Sequence, residues 1–339
     1  MDLEGFLSAN RIDLETWEQA AIDWSELHAI ATDHDTQRQA LVESATFHAN
    51  LIQRIPSVHS VRWRIKDTEH LLEKIVRKRA AKENKYLEVD RNNYYTIVTD
   101  LIGIRALHLF KDDCFDIHQS LTADWTPLEN PVAYIRNGDP EQLTNKYREH
   151  DLEVKIHPAG YRSVHYVFSS QPLNRRVIAE VQIRTIFEEG WSEIDHTIRY
   201  PNFSNNEPVG YFLTIFNRLA GSADEMGTFV RGLAGAIHGY QLQISQASAE
   251  RDASLRSMEE SLEELARLKQ QDNDSQQTIK KLREQMSKMK QERSLDNIFS
   301  SATSLKEIQL AESALKNLNI PSFISDLTTL GVKWPPDKT

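Results

Sequence analysis

A change of hydrophobic period within residues 177–200 constrains the fold of this chain more than any other feature. Apolar and polar residues first alternate, as in a strand with one buried face, and the apolar ones are Val177, Ala179, Val181 and Ile183. From Ile186 onward the apolar spacing becomes helical, and Thr185 stands where a helix N-cap is expected. The stretch therefore predicts a strand that runs directly into a helix.

The polar face of this strand predicts a functional site. Glu180, Gln182 and Arg184 alternate with the apolar residues and share the opposite face. Burying three long polar side chains costs free energy unless they line a site. Glu180 is therefore a candidate metal ligand or general base.

Composition places the chain among globular proteins. Its 339 residues are 40% hydrophobic and 27% charged, which suffices for about two domains with packed cores. A formal net charge of −10 argues against a wholly basic nucleic-acid binder, although a local basic patch is compatible with it. The single cysteine, Cys114, excludes an intrachain disulfide and fits a reducing compartment.

The sequence gives no signal for membrane targeting. Asp2 and Glu4 stand where a signal peptide has basic residues, and no apolar run is long enough to cross a bilayer. We therefore expect a cytoplasmic protein without a membrane partner.

Two helices are predicted before the first strand, over residues 13–32 and 35–54. The polar cluster Asp33, His34 and Asp35 falls at their junction. We interpret this cluster as a loop between the helices rather than as a metal site.

A cationic strand and a cationic helix follow one another. Residues 58–66 alternate as a strand, and its polar face carries Arg62, Arg64 and Lys66. The next helix begins at Asp67 or Thr68 and groups three cations on one face, namely Lys74, Arg77 and Lys78. Each face alone is typical of a solvated surface, but their adjacency favours a polyphosphate site.

A further buried strand is predicted over residues 102–110, with Asp100 before it and Arg105 within it. An aspartate at the start of a buried strand is often a cap. Paired with a distant glutamate such as Glu180, it is a candidate magnesium ligand.

The segment 125–157 carries turn signals and two predicted strands, near 132–136 and 152–157. A glycine-containing loop then leads into another strand and carries Tyr161. We expect Tyr161 to be exposed and to lie flat against a base; the alternative is an ordinary turn tyrosine.

Four sequence blocks occur in a fixed order: RIK with Lys74 after seven further residues, DLIGIR, GYRSVH, and EVQIRT with WSEIDH. Over about residues 57–200 they resemble the synthetase domain of the RelA/SpoT family and its small alarmone synthetases. The resemblance implies an α+β fold, a mixed β-sheet flanked by helices. It also implies transfer of the β,γ-pyrophosphate of ATP to the 3′-hydroxyl of GDP or GTP, which makes (p)ppGpp.

The resemblance assigns roles on the ATP side. Arg64 and Arg105 match the arginines that sandwich the adenine, and Lys66 and Lys74 match the lysines that bind the triphosphate. Asp100 matches the family's catalytic aspartate, which binds the cofactor Mg²⁺.

A second group of residues is implied in catalysis and acceptor binding. Glu180 matches the glutamate that helps to bind Mg²⁺ and is proposed to activate the 3′-hydroxyl. Tyr161 matches the tyrosine that stacks on the acceptor guanine, and His165 matches a histidine beside the acceptor. Gln182 and Arg184 match neighbours in the same motif and are assigned to the acceptor side.

The acceptor loop departs from the family pattern. It reads HPAGY where the family usually has KPNGY, so His157 and Ala159 replace a lysine and an asparagine. The sequence therefore does not decide the identity of the acceptor. The alternatives to a guanine nucleotide are the CCA end of tRNA or adenine nucleotides, as in toxic members of the superfamily. A second alternative is a non-catalytic nucleotide-sensing module that binds a partner.

We divide the chain into an N-terminal helical segment, a synthetase-like domain and a helical, partly coiled-coil C-terminal region, over residues 1–56, 57–220 and 221–339. Residues 208–240 predict two helices. From 241 to 293 two apolar sets follow three-four spacing out of phase, which predicts two helices or an interrupted coiled coil.

The C-terminal helices have two functional interpretations, homo-oligomerisation and binding of a regulatory partner. An intramolecular helical hairpin is the structural alternative. A last helical pair is predicted around residues 304–318 and 321–330.

Overall fold

The computed structural model describes residues 2–172, 174–199, 206–268 and 276–288. Helices α1 to α9 are Leu3–Ala9, Leu14–Ala20, Trp24–Ile52, Thr68–Ala80, Tyr94–Ile97, Asp113–Asp124, Glu141–Glu149, Ile186–Ile198 and Glu207–Leu268. Strands β1 to β6 are Ser60–Ile65, Ile102–His108, Val132–Ile135, Glu153–Ile156, Ser163–Ser170 and Val177–Thr185. The chain divides into two compact units, with the boundary between Thr228 and Phe229.

The six strands form one mixed sheet in the order β1-β2-β6-β5-β3-β4. β2 pairs with β6 and β3 with β4 in parallel, whereas the other neighbours are antiparallel. Strand β6 therefore lies inside the sheet, with a paired strand on each side. This arrangement confirms the predicted α+β fold with a mixed sheet flanked by helices.

One face of the sheet forms the larger hydrophobic core. Ile104, Val181 and Tyr166 lie in register across β2, β6 and β5 and are buried. Helices α3 and α6 cover this face with Leu41, Ala45, Ile52, Ile117 and Leu121. The other face of β6 carries Glu180 and Gln182, as the alternation predicted.

The N-terminal helices pack with α4 into a second core. Phe6, Leu27 and Leu71 are fully buried there. Arg79 of α4 donates a hydrogen bond to the carbonyl of Ala20 at 2.7 Å. This bond ties the end of α2 to α4, which follows the cationic strand β1.

The predicted helix over residues 13–32 is wrong in its extent. Helix α2 ends at Ala20, because Ala21 takes the left-handed conformation with φ 48°. Helix α3 then begins at Trp24.

The predicted loop around Asp33 is also wrong, because α3 runs through it unbroken. Asp33 accepts hydrogen bonds from Tyr94 Oη at 2.8 Å and from Arg175 Nη1 at 2.7 Å. His34 Nε2 lies 2.8 Å from the carbonyl oxygen of Lys66. Distant partners satisfy these polar side chains, so they do not require a loop.

The turn signals in the middle of the chain did not predict α7. This helix follows Pro140 at its N-cap and has no buried residue. With 9 residues, α7 is shorter than the window of about 11–18 residues over which an apolar period is recognised.

The prediction of two helices over residues 208–240 is wrong as well. Helix α9 is continuous from Glu207 to Leu268. An interior glycine costs only about 1 kcal/mol relative to alanine, so the glycines of this segment do not end the helix.

A second C-terminal helix covers residues 276–288. Its Met286 forms a buried cluster with Leu255 and Leu262 of α9, as the hairpin interpretation requires. The predicted coiled coil is not confirmed. Two further predicted helices lie outside the described residues, around 304–318 and 321–330.

None of the helices within the described ranges combines the length and hydropathy that a membrane span needs.

Candidate active site

Two carboxylates meet on the polar face of the sheet. Glu180 lies opposite Gly103 in the parallel β2–β6 pair, and Asp100 lies two residues before β2. Both line one cavity of about 160 Å³, which Arg64 and Arg105 also line. The structure therefore brings together four site residues that are far apart in the sequence.

Lysines hold the Asp100 carboxylate at both oxygens. Lys66 Nζ lies 2.9 Å from Oδ2, and Lys74 Nζ lies 2.8 Å from Oδ1. Burial alone would raise the pKa of Asp100, but the ammonium groups of Lys74 and Lys66 outweigh it and lower the pKa below its ordinary value. Asp100 is therefore an anion at neutral pH.

His165 and Gln182 contact the Glu180 carboxylate. His165 Nδ1 lies 3.3 Å from Oε1, and Gln182 Nε2 donates to Oε2 at 2.9 Å. Burial raises the pKa of Glu180, whereas His165 and Gln182 lower it, and the net shift is downward. The other ring nitrogen of His165 lies 2.7 Å from Ser163 Oγ, so contacts at both nitrogens orient the imidazole.

Arg64 and Arg105 lie on neighbouring antiparallel strands. Arg64 pairs with Gly103, so Arg105 is its diagonal neighbour. The Arg64 side chain crosses Gly103, where a Cβ would lie 3.6 Å from Arg64 Cγ. The Arg105 guanidinium contacts Glu189 Oε1 at 3.0 Å and also Glu193, both on α8. Two carboxylates of α8 therefore orient Arg105.

Sequence analysis missed these two carboxylates. Glu189 and Glu193 are one helical turn apart, and Glu189 also contacts Arg62 at 3.3 Å. Residues four apart share one face of a helix. Two glutamates four residues apart on the helix that follows the polar strand were the signal that would have indicated their role.

A second cavity of about 450 Å³ shares Arg64 and His196 with the first. Its cations are Arg64 of β1, Lys66 of the connection to α4, and Lys74, Arg77 and Lys78 of α4. Asp67 caps α4 by accepting hydrogen bonds from the amides of Glu69 and His70, which confirms one of the two predicted caps. The cap starts α4 directly after β1, so the cations of both elements line one wall.

Tyr161 is half-buried, so the prediction that it is exposed is wrong. Its hydroxyl donates to Asp195 Oδ2 at 2.7 Å. Its ring centroid lies 4.7 Å from that of Trp191 and 4.7 Å from that of His157. Burial and the contact with Asp195 raise the pKa of Tyr161, which is therefore neutral.

A series of ring contacts connects Tyr161 with Glu180. His157, which contacts Tyr161, lies 5.4 Å from Tyr134 between ring centroids. Tyr134 in turn lies 4.8 Å from His165, which contacts Glu180. The predicted acceptor loop is thus continuous with the carboxylate part of the site through Tyr134, a residue that sequence analysis did not identify.

Arg184 is buried between β6 and α8, with 7% of its surface exposed. Its guanidinium donates to Ser192 Oγ at 2.9 Å and to Gln182, and lies 3.4 Å from Glu189 Oε2. These contacts make Arg184 a support for Gln182 and α8.

The carboxylate pair has the donor set of a magnesium site. Proteins commonly bind Mg²⁺ through one or two carboxylates, with substrate phosphates and water as the remaining ligands. Asp100 and Glu180 are ionised and line one cavity, so they fit this pattern. Among the described residues, no group of three or more His, Cys, Asp or Glu side chains is arranged to hold a metal ion.

Fold and site together define an α+β protein with a cationic cavity that carries two carboxylates. Residues 63–205 match the family model described as the region found in RelA/SpoT proteins. These residues therefore carry a RelA/SpoT domain, as the sequence blocks predicted. The matched region contains every site residue proposed from the sequence.

One similar protein is named as a GTP pyrophosphokinase. GTP pyrophosphokinase YwaC from Bacillus subtilis (strain 168) is 24% identical over 164 residues, which are 47% of this chain and 66% of that protein. The match thus spans slightly less than two thirds of that relative.

Two solved structures are also similar to this chain. Small alarmone synthetase 1 from Bacillus subtilis is 25% identical, with 59% of this chain and 94% of that chain covered and a TM-score of 0.42. The same synthetase bound to its product pppGpp is 24% identical, with coverages of 57% and 92% and a TM-score of 0.42.

Proposed function

We propose that this protein is an ATP-dependent pyrophosphokinase that transfers the β,γ-pyrophosphate of ATP to the 3′-hydroxyl of GDP or GTP. The observation that carries the proposal is the single cavity lined by Asp100, Glu180, Arg64 and Arg105. The match of residues 63–205 to the RelA/SpoT family model and the similarity to a GTP pyrophosphokinase support the same reaction.

The two arginines suit the adenine of ATP. Diagonal residues on paired strands lie about 7–8 Å apart. This is about twice the contact distance of roughly 3.5–4 Å between carbon atoms. This spacing at the backbone leaves room for a planar ring, and we expect the adenine to lie between the guanidinium groups of Arg64 and Arg105, which attract its two faces.

The lysines beside Asp100 suit the triphosphate. Lys66 and Lys74 both contact Asp100 and line the larger cationic cavity. Lysine ammonium groups bind phosphate oxygens as compact charges. We expect them to bind the ATP phosphates and to stabilise the charge that develops during transfer.

The reaction forms a bond between the acceptor 3′-oxygen and the β-phosphorus of ATP. The bond from the β-phosphorus to the oxygen that bridges to the α-phosphate breaks, so AMP leaves. Asp100 and Glu180 would hold Mg²⁺, which when bound neutralises phosphate charge. Glu180 is ionised and accepts the proton of the hydroxyl as a general base, while His165 and Gln182 keep its carboxylate oriented.

A guanine nucleotide is the leading acceptor. Tyr161 supplies an aromatic surface, but stacking tolerates any base, so base choice depends on hydrogen bonds from the surrounding loop. In that loop His157 and Ala159 replace the usual lysine and asparagine. We therefore expect weaker discrimination between guanine and adenine than the usual loop gives.

The test incubates the 339-residue chain with Mg²⁺, ATP labelled at the β-phosphate and one acceptor at a time: GDP, GTP, AMP, ATP or tRNA. We expect label in a 3′-pyrophosphorylated guanine nucleotide. Label only on tRNA, or only on an adenine nucleotide, would replace the guanine acceptor by one of the alternatives. Absence of transfer to every acceptor would favour the non-catalytic nucleotide-sensing module.

A further inference from the structure

Helix α9 begins after the matched RelA/SpoT region, yet its N-terminal part contacts the acceptor loop. Asn217 Nδ2 donates to the carbonyl oxygen of Gly160, the residue before Tyr161, at 3.2 Å. Asn217 is 6% exposed, so water competes little for this bond. Gly160 has φ +74°, a conformation that side-chain-bearing residues rarely adopt, so the loop needs contacts that hold its shape.

Arg136 joins the loop to two helices. Its Nη2 donates to the backbone carbonyl of Asn217 at 3.2 Å and to Glu188 Oε1 of α8 at 3.2 Å. Its Nε donates to the Gly160 carbonyl at 3.5 Å. One guanidinium therefore links α8, α9 and the loop that carries Tyr161.

A glycine allows α9 to approach this closely. A Cβ at Gly221 would lie 2.8 Å from Arg162 Nη1 and 3.1 Å from Arg136 Nη1. Arg162 directly follows Tyr161, and its Nε donates to Asp139 Oδ2 at 2.9 Å. Any side chain at position 221 would meet the guanidinium groups of Arg162 and Arg136, which would have to shift.

α9 is also anchored to the elements that contact the ring of Tyr161. Trp191 Nε1 donates to the carbonyl of Leu213 at 3.1 Å, and Trp191 packs on Tyr161. Thr185 Oγ1 donates to Asp224 Oδ2 at 2.9 Å. These buried bonds fix the part of α9 that carries Asn217.

We propose that Asn217 and Arg136 are positioning residues for the acceptor. They hold the Gly160 carbonyl and thereby the orientation in which Tyr161 meets the acceptor base, so α9 sets acceptor affinity. This inference rests on the proposed function and extends it to a helix outside the family region. Among the described residues that line the cavities of about 160 Å³ and about 450 Å³, neither Asn217 nor Arg136 occurs.

Two substitutions weaken this contact by different routes. Asn217→Ala removes the donor to Gly160, and Gly221→Ala places a methyl group against the two guanidinium groups. Gly210→Ala is the matched control, because it lies on the same helix and its new Cβ would meet nothing within 4 Å. We expect both test variants to raise the KM for GDP roughly threefold to tenfold, as for loss of one hydrogen bond, with kcat and the KM for ATP within about twofold of the control.

A second readout does not depend on catalysis. Amide hydrogen exchange in residues 157–163 should be faster in Asn217→Ala and Gly221→Ala than in wild type and Gly210→Ala. Thermal unfolding establishes that each variant is folded, and Asn217→Ala decides the matter if Gly221→Ala does not fold. Unchanged exchange in the loop, or equal rises of KM for both substrates, would overturn the positioning role. If wild type transfers pyrophosphate to no acceptor, the proposed function fails, while loop exchange still decides whether α9 holds the loop.

Discussion

At the scale of single residues, charge pairing determines the chemistry of the site. Burial raises the pKa of both Asp100 and Glu180, yet their cationic and hydrogen-bonding partners lower it further than burial raises it. Both side chains are therefore ionised, which suits a metal ligand and a general base. Replacing each carboxylate by the amide of the same shape should therefore remove its effect on catalysis without unfolding the protein.

Glu180→Gln and Asp100→Asn should each lower pyrophosphate transfer by roughly 10²–10⁴-fold, because an amide neither accepts the proton as a base nor binds Mg²⁺ as an anion. Steady-state transfer of label from ATP to GDP measures the effect, and thermal unfolding confirms the fold. Glu153→Gln, an exposed carboxylate of the same sheet, is the control. Near-normal turnover in either folded variant would refute the assigned roles.

Tyr161→Ala should raise the KM for the acceptor far more than the KM for ATP. Stacking on an aromatic ring is worth roughly 1–3 kcal/mol per base, or about 5–150-fold in affinity. Arg64 and Arg105, the proposed adenine ligands, are unchanged. Tyr161→Phe keeps the ring and loses only the hydrogen bond to Asp195, so it serves as the matched control. A larger acceptor effect in the Phe variant than in the Ala variant would exclude stacking as the cause.

Alternation along a strand is a local property, and it predicted the face that Glu180 and Gln182 share. The burial of Tyr161 was not predictable in the same way. It depends on Asp195 and Trp191, which tertiary packing brings from another element. Sequence patterns therefore indicated which residues form the candidate site but not which residues contact them.

At the scale of elements, α8 forms one wall of the site. Its predicted N-cap is confirmed, because Thr185 Oγ1 accepts a hydrogen bond from the amide of Glu188 at 3.1 Å. Helical spacing of apolar residues predicted where α8 lies, although three of those residues, Phe187, Ile194 and Ile198, are exposed. It did not predict that Glu189 and Glu193 would contact the arginines of the sheet, because that requires the packing of α8 across β1 and β2.

Glu188 of α8 makes stability depend on pH. Its carboxyl is buried, and burial raises its pKa from 4.5 to about 7 although Arg162 and Arg136 oppose the shift. The folded state therefore binds this proton more tightly than the unfolded state does. The resulting stabilisation is complete below about pH 4.5 and is lost as the pH rises through about 7.

Glu188→Gln removes this titration. The free energy of unfolding of the variant minus that of wild type should increase by roughly 1–3 kcal/mol as the pH rises from about 5 to about 8. Asp224, whose pKa burial raises to about 6, titrates in both proteins and so largely cancels in the comparison. Urea unfolding at several pH values measures the difference, which would stay constant with pH if Glu188 had no raised pKa.

At the scale of the whole molecule, the boundary between the two compact units falls within α9, after Thr228. The contacts of α9 with the acceptor loop precede this boundary, and the cluster of Leu255, Leu262 and Met286 follows it. Composition predicted that the C-terminal region is helical. Composition did not predict that one helix crosses the boundary. The glycines indicated a break, but α9 continues through them.

Truncation after Gly239 tests the hypothesis of self-association or autoregulation. Met258 and Leu265 lie in the predicted three-four pattern and are 52% and 46% exposed, so apolar surface is present on this segment. We expect light scattering to show a loss of mass beyond that of the removed residues, or the basal transfer rate to change. If both quantities stay the same, the segment does neither job under those conditions.

Formation of AMP in the presence of GDP tests the central claim most directly. Pyrophosphate transfer breaks ATP between its α- and β-phosphorus atoms, whereas transfer or hydrolysis of a single phosphate leaves ADP. The measurement incubates the chain with ATP, GDP and Mg²⁺, quantifies the nucleotides by ion-exchange chromatography and determines the mass of the guanine product. The proposed function predicts equal amounts of AMP and of a guanine nucleotide that is heavier by one pyrophosphoryl group at its 3′-hydroxyl. ADP as the adenine product, or AMP without a modified guanine nucleotide, would contradict it.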